Sequence, residues 1–266
     1  MMKTLRNLMI LLATLAVSQS AMAWGGWGHH ISAYIAEKHL TPEAKAKCQH
    51  YLKHTLPHYS SWQDHWRHSD PFKEISYWHS SYVNKQYDII GYKGDETRDA
   101  AYQVNRIVKE MEKGKYKSMS DSLVAVNLKL LIHMVGDMHC PSHMVYTKDC
   151  GLRARSLNVK GKKFNHHKFW DAAPQLMHPK WKADRFVKAY DTYTAKEIKK
   201  IGKGTAFKWS VQSAHSIAET YEYWEKGAEF TKFSKEQRQK IDDTLHEQLA
   251  FAGYRLAATL NKIFSK

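Results

Sequence analysis

Apolar residues recur at three- and four-residue intervals along most of the chain, the period of helices that bury one face. Ile31, Tyr34, Ile35 and Leu40 mark a helix beginning around His29, and Thr41-Pro42-Glu43 opens the next, which runs until Leu56-Pro57 breaks it. Ser60-Ser61 caps a short helix in SSWQDHWRHSD, and ISYWHSSYVN (75–84) is an aromatic, β-branched run. After a polar, glycine-bearing loop over 88–99, Val104, Ile107, Val108 and Met111 define a helix over 100–112. Ser120-Asp121 then caps a helix over about 123–139 that is apolar on several faces, so it should be the buried middle of a bundle. The basic stretch 147–163 predicts a hairpin around Leu157 to Gly161, and amphipathic helices are expected near 184–201, 207–229 and 234–262. The expected fold is therefore an all-α, single-domain helical bundle with one small hairpin. No repeat, low-complexity linker or composition shift divides it.

Two segments fall outside that bundle logic. Lys3 and Arg6 precede an apolar run from Leu8 to Val17, and Ala21-Met22-Ala23 supplies a small-x-small cleavage pattern. Residues 1–23 thus read as a secretory signal, leaving a domain over 24–266 that begins at Trp24 and is exported to a periplasm or beyond. The run is too short, with these flanks, to anchor the chain in a membrane. Removing Lys3 and Arg6 lowers the net charge from +15 to +13. Such an excess favours polyanions or anionic surfaces as partners, although lysines that only keep the surface soluble would produce it too. No obligate protein partner is implied.

The central helix carries the first candidate chemistry. His133 and Asp137 lie four residues apart and project from one face, where they can grip one ion; a satisfied core histidine is the competing explanation. Pro141 ends the helix and His143 follows at its mouth. His167 and Asp171 repeat the four-residue spacing, with His166 turned away. Asp64 and Arg67 are three apart, and although this spacing usually makes a surface ion pair, the flanking Trp62 and Trp66 argue for partial burial. His79 lies within the aromatic run. Cleavage before Trp24 would free an α-amine beside a carbonyl, a chelate that His29 could complete. Of the three cysteines, Cys140 and Cys150 bracket His143 and could close a loop by a disulfide, leaving Cys48. No CxxC pair exists, which points any metal toward nitrogen and oxygen donors.

In order, the chain shows WGxxGH ending at His29, SWxDxxR over Asp64 and Arg67, WH at His79, HxxxDxxxxxH over His133, Asp137 and His143, and HxxWD over His167 and Asp171. Together these resemble the zinc-dependent single-strand nuclease family of fungi and plants (the S-one/P-one type), whose fold is shared by bacterial zinc-dependent phospholipases C. The resemblance runs from Trp24 to AGYRLAATLN near the C-terminus. It implies three zinc ions in a cleft: the first on Asp64, His79, His133 and Asp137; the second on His143, His167 and Asp171; the third on the amine and carbonyl of Trp24, on His29 and on Asp137. It further implies endonucleolytic hydrolysis of single-stranded DNA and RNA to 5′-phosphorylated products, with 3′-nucleotidase activity in some members. Asp64 would orient the attacking water and Arg67 would neutralise phosphate charge.

The chain departs from the family pattern after His79, where SSYVN replaces the segment that helps form a base pocket, and at Ser156-Leu157-Asn158, which replaces a Gly-Gly-Asn turn. Substrate recognition therefore does not carry over. Two competing functions remain at this level: a phospholipase C working on lipid phosphodiesters, and a zinc-binding protein without catalysis.

Overall fold

Helix α1 (Gly25–Lys38) passes between the two halves of the hydrophobic core, and the other helices are arranged about it. The structure is a computed structural model that describes residues 24–84, 86–146, 156–218 and 228–265. Ala33 and Ala36 join a cluster built on Val104, Ile107, Leu128, Leu131 and Val135, whereas Ile31 and Ile35 join Phe169, Trp170, Phe186, Leu245 and Tyr254. Both clusters are walled by helices, as the three- and four-residue periodicity requires.

Thr41 caps α2 (Pro42–Leu52), accepting the amide of Ala44, and proline takes the first helical position, where a missing N–H costs nothing. The helix ends at Leu52, short of the predicted break at Leu56-Pro57, where a 3-10 turn over Leu56–Tyr59 begins and leads to α3 (Trp62–Trp66). Another 3-10 turn, Lys73–Tyr77, precedes strand β1 (Ser81–Val83). Asp99 caps α4 (Ala100–Met111) and Ser120 caps α5 (Asp121–Asp137), the predicted central helix, which is buried from Leu130 to Asp137. Strand β2 (Met144–Tyr146) runs parallel to β1, with Ser81 opposite Met144.

The predicted hairpin is present. Strands β3 (Ser156–Val159) and β4 (Lys162–Asn165) pair antiparallel around Lys160 and Gly161, both at positive φ, as a tight two-residue turn demands. Asn165 then caps α6 (His166–Met177). The helix expected over 184–201 is two helices, α7 (Ala183–Tyr190) and α8 (Ala195–Ile201). The break is held by Asp191, which bonds Lys38, His39 and Tyr254, and by the Thr194–Glu197 capping box that starts α8. The helix expected over 207–229 also differs. Helix α9 spans Ala206–Ala218, and Ala228–Glu229 form strand β5, parallel to β3 with Leu157 opposite Ala228. Tyr221 and Trp224, read as part of that helix, lie outside the described residues. The long α10 (Lys235–Phe264) closes the bundle against α1. No helix among the described residues is long and apolar enough to cross a membrane.

Candidate metal centre

The site forms where α1, α3, α5 and α6 converge, because α5 ends there and its last turns point inward. His133 and Asp137, one turn apart, are both completely buried, with His133 Nε2 3.2 Å from Asp137 Oδ2. His133 Nδ1 donates to the carbonyl of Ser60 at 2.7 Å, which fixes the ring and leaves Nε2 facing the cluster. His79 arrives from the segment before β1: its Nδ1 is 3.0 Å from Asp137 Oδ2 and 3.7 Å from Asp64 Oδ1. Asp64, projecting from α3, lies 3.7 Å from His133 Nε2 and 3.4 Å from Arg67 Nη1. Asp64 is thus enclosed and Arg67 partly open, with 2% and 18% of their side chains exposed, in accord with the burial that the flanking tryptophans imply.

His29 reaches the other oxygen of Asp137. Its Nε2 stands 3.2 Å from Oδ1 and its ring stacks on that of His133 at 4.0 Å. Glycine at position 136 permits this, since a Cβ there would lie 2.7 Å from His29 Nδ1. Trp24 is buried beside it, at a left-handed φ of 52°, and its indole donates to the carbonyl of Gly136 at 2.8 Å. Gly25 is equally constrained, because a Cβ would sit 2.5 Å from the Asp171 carbonyl.

The turn after α5 carries His143 into the site, and the pairing of β1 with β2 locks it there. Ser81 N–H donates to the carbonyl of His143 at 3.0 Å, while His143 Nδ1 donates to the carbonyl of His79. This leaves His143 Nε2 directed at His167 Nε2, 3.0 Å away, and His167 is 3.5 Å from Asp171 Oδ2. His166, about 100° around α6 from His167, accepts from the indole of Trp170 and packs in the core rather than facing the cluster. The fold therefore brings together Trp24, His29, Asp64, His79, His133, Asp137, His143, His167 and Asp171, with Arg67 at the rim.

The electrostatics are set by deep burial and by the crowding of like and opposite charges. Burial and the neighbouring His133 lower His29, burial lowers His79, and burial holds His143 down at about 3 despite Asp137. Burial opposes a charge on His133 as well, but the carboxylates of Asp137 and Asp64 outweigh it and raise this group to about 9. Asp137 is held well below the carboxylate range, its histidine neighbours overcoming burial; Asp171 is pushed well above it by burial and by the charges of Asp137 and Asp64. Both oxygens of Asp64, Oδ1 of Asp137 and both nitrogens of His29 are buried without a hydrogen bond of good geometry. Orphaned buried acceptors are rare and call for a partner. His29 with His133 and Asp137, and Asp64 with His79 and His133, each bring three donor atoms within 4.8 Å of one another, so the residues present fit divalent ions bound by nitrogen and oxygen.

One grouping escaped the sequence. Cys140 joins His143 and Asp171 at the same mutual spacing. The expected Cys140–Cys150 bridge is not formed: Cys140 is a free, completely buried thiol, as Cys48 is free and buried elsewhere in the core. Cys150 itself lies outside the described residues.

A helical bundle whose interior gathers seven buried histidine and aspartate side chains, with the part-exposed His167 at their edge, is a scaffold for a metal centre. The chain belongs to the S1/P1 nuclease family, whose family model matches residues 24–265. It is 26% identical to Nuclease S1 of Aspergillus oryzae over 98% of this chain and 99% of that protein. It is also 26% identical to Endonuclease 2 of Arabidopsis thaliana, over 91% of this chain and 90% of the plant protein. Nuclease P1 of Penicillium citrinum matches at 25% identity, over 90% of this chain and 97% of its own length. The protein is accordingly a phosphodiester-hydrolysing endonuclease.

Proposed function

We propose that the mature chain, cut before Trp24 and exported, is a three-zinc endonuclease acting on single-stranded DNA and RNA to leave 5′-phosphates, and that it also removes 3′-phosphates from nucleotides. The observation that carries this reading is the convergence of Asp64, His79, His133 and Asp137 on one buried point with donor atoms left unsatisfied. The first ion would be held by those four residues, the second by His143, His167 and Asp171, and the third by the Trp24 amine and carbonyl, His29 and Asp137. Bound zinc supplies Lewis-acid chemistry and lowers the pKa of water from 15.7 to about 7.

The chain's own residues supply the rest. Asp64, enclosed beside Arg67, orients the attacking water and takes its proton, while Arg67, at the partly open rim, neutralises charge on the phosphate and the leaving oxygen. His167, with 41% of its side chain exposed, marks the side from which substrate enters. Trp66, on the same short helix as Asp64 and Arg67, is 40% exposed and offers a face on which an unpaired base stacks. The net charge of +13 after removal of residues 1–23 draws in the polyanion.

The test is a side-by-side assay of the mature protein on single-stranded DNA, RNA, 3′-nucleotides and phosphatidylcholine, with and without a chelator. Chelator-sensitive cleavage of both single-stranded nucleic acids and release of 3′-phosphate are expected. Hydrolysis of phosphatidylcholine alone would transfer the site to lipid phosphodiesters.

A further inference from the structure

Cys140 has no place in the ligand sets just proposed, yet it lies against one of them. It sits in the turn after α5, completely buried. Its Sγ, a ring nitrogen of His143 and a carboxylate oxygen of Asp171 all lie within 4.8 Å of one another. Asp171 is itself 8% exposed, and neither of its carboxylate oxygens has a hydrogen bond of good geometry, so a second buried donor is aimed into the same space. On the outer side His167 Nε2 is 3.0 Å from His143 Nε2 and 3.5 Å from Asp171 Oδ2. The polar neighbour of the thiol is the Ser142 hydroxyl, 3.0 Å from Sγ.

We propose that Cys140 is a thiolate ligand of the second metal ion, completing a four-donor site with His143, His167 and Asp171. This rests on the metal-centre reading above. Zinc commonly takes four ligands in a tetrahedron and accepts sulfur, nitrogen and oxygen together. When the metal–sulfur bond forms the S–H bond breaks, and the proton leaves to solvent, as for any thiol that becomes a ligand. Sulfur then closes the second site on its core side, and substrate reaches it from the part-exposed His167 side as a fifth ligand, an expansion that zinc allows. A soft donor also selects zinc over magnesium or calcium, which take oxygen. The competing state is a Cys140–Cys150 disulfide, which removes the ligand.

The experiment replaces the native metal of the mature protein with cobalt(II) and reads two quantities, bound cobalt per chain and thiolate-to-cobalt charge-transfer absorption in the near ultraviolet. The proposal expects the absorption in the unaltered protein and in Cys48→Ser and Cys150→Ser, and its loss in Cys140→Ser. That last variant should also bind one cobalt equivalent at least about tenfold more weakly, the lower end of what losing even a supporting partner costs a metal site. Full cobalt occupancy without the absorption, or absorption that vanishes in Cys150→Ser instead, overturns the Cys140 ligand and leaves the metal-centre reading intact. Failure of the folded, unaltered protein to bind cobalt or zinc overturns both. Because the unaltered protein is measured directly, the result does not depend on Cys140→Ser folding.

Discussion

Replacing Asp137 with asparagine should remove metal and stability together, and the structure sets the size of the loss. The carboxylate is completely buried, with His79 Nδ1 at 3.0 Å and His29 Nε2 and His133 Nε2 both at 3.2 Å. In the metal-free protein the charges of Asp137 and Asp64 hold His133 at about 9 against burial, compared with an ordinary 6.5. A histidine raised in the folded state contributes stability that is fully present below its unfolded pKa and fades as pH rises through the folded one. The linkage is worth about 3 kcal/mol below roughly pH 6.5 and vanishes above about pH 9. Breaking a buried pair from one side typically costs about 3–5 kcal/mol, which agrees in scale. In chelator near pH 6, Asp137→Asn should therefore unfold at a temperature lower by roughly 10 °C. In the presence of zinc the gap should widen, because the unaltered protein gains the binding free energy that the variant lacks. Denaturant titration with and without chelator, alongside metal analysis, measures both effects. A variant with the native metal content, and with native stability in chelator, would refute the bridging role of Asp137.

Arg67→Ala should keep its metal and lose about 10²–10³ in turnover, the usual scale for one group stabilising transition-state charge, as read by steady-state cleavage of single-stranded DNA together with metal content. One residue added before Trp24 should cost one zinc equivalent per chain and most of the activity; full occupancy and unchanged turnover would show that the terminal amine is no ligand. Gly136→Ala places a Cβ 2.7 Å from His29 Nδ1 and should destabilise the chain by about 1–3 kcal/mol while weakening metal binding, measured by melting and chelator competition. Burial raises Asp99 to about 6, so this group's contribution to stability is lost as pH rises from about 4 through 6. Relative to the native chain, Asp99→Asn should gain up to about 3 kcal/mol over that range in denaturant titrations.

The helical pairs were legible because their logic is local. Four residues set His133 above Asp137 and His167 above Asp171, and each pair meets in the fold at 3.2 and 3.5 Å. The Asp64–Arg67 pair was legible for a different reason, since tryptophans on either side marked α3 as partly buried. What local pattern could not carry depended on partners far along the chain. The break between α7 and α8 is set by Asp191 bonding Lys38, His39 and Tyr254, although the Thr194–Glu197 capping box was a local signal of the restart. Strand β5 exists because Leu157, some seventy residues earlier, lies opposite Ala228. Cys140 was misjudged because its nearest cysteine in sequence invited a disulfide, whereas the fold buries it against His143 and Asp171. The spacing Cys140-x-x-His143 was the available clue, weaker alone than the cysteine pair.

Under the proposed function, the buried histidines and aspartates of this chain hold the metal that makes it a nuclease. The most direct test is the metal content of the folded mature protein, followed by removal and return of zinc under a single-stranded DNA assay. Three zinc ions per chain are expected, with cleavage abolished by the chelator and restored by zinc. A folded protein that contains no metal and still cleaves DNA at full rate would contradict the account.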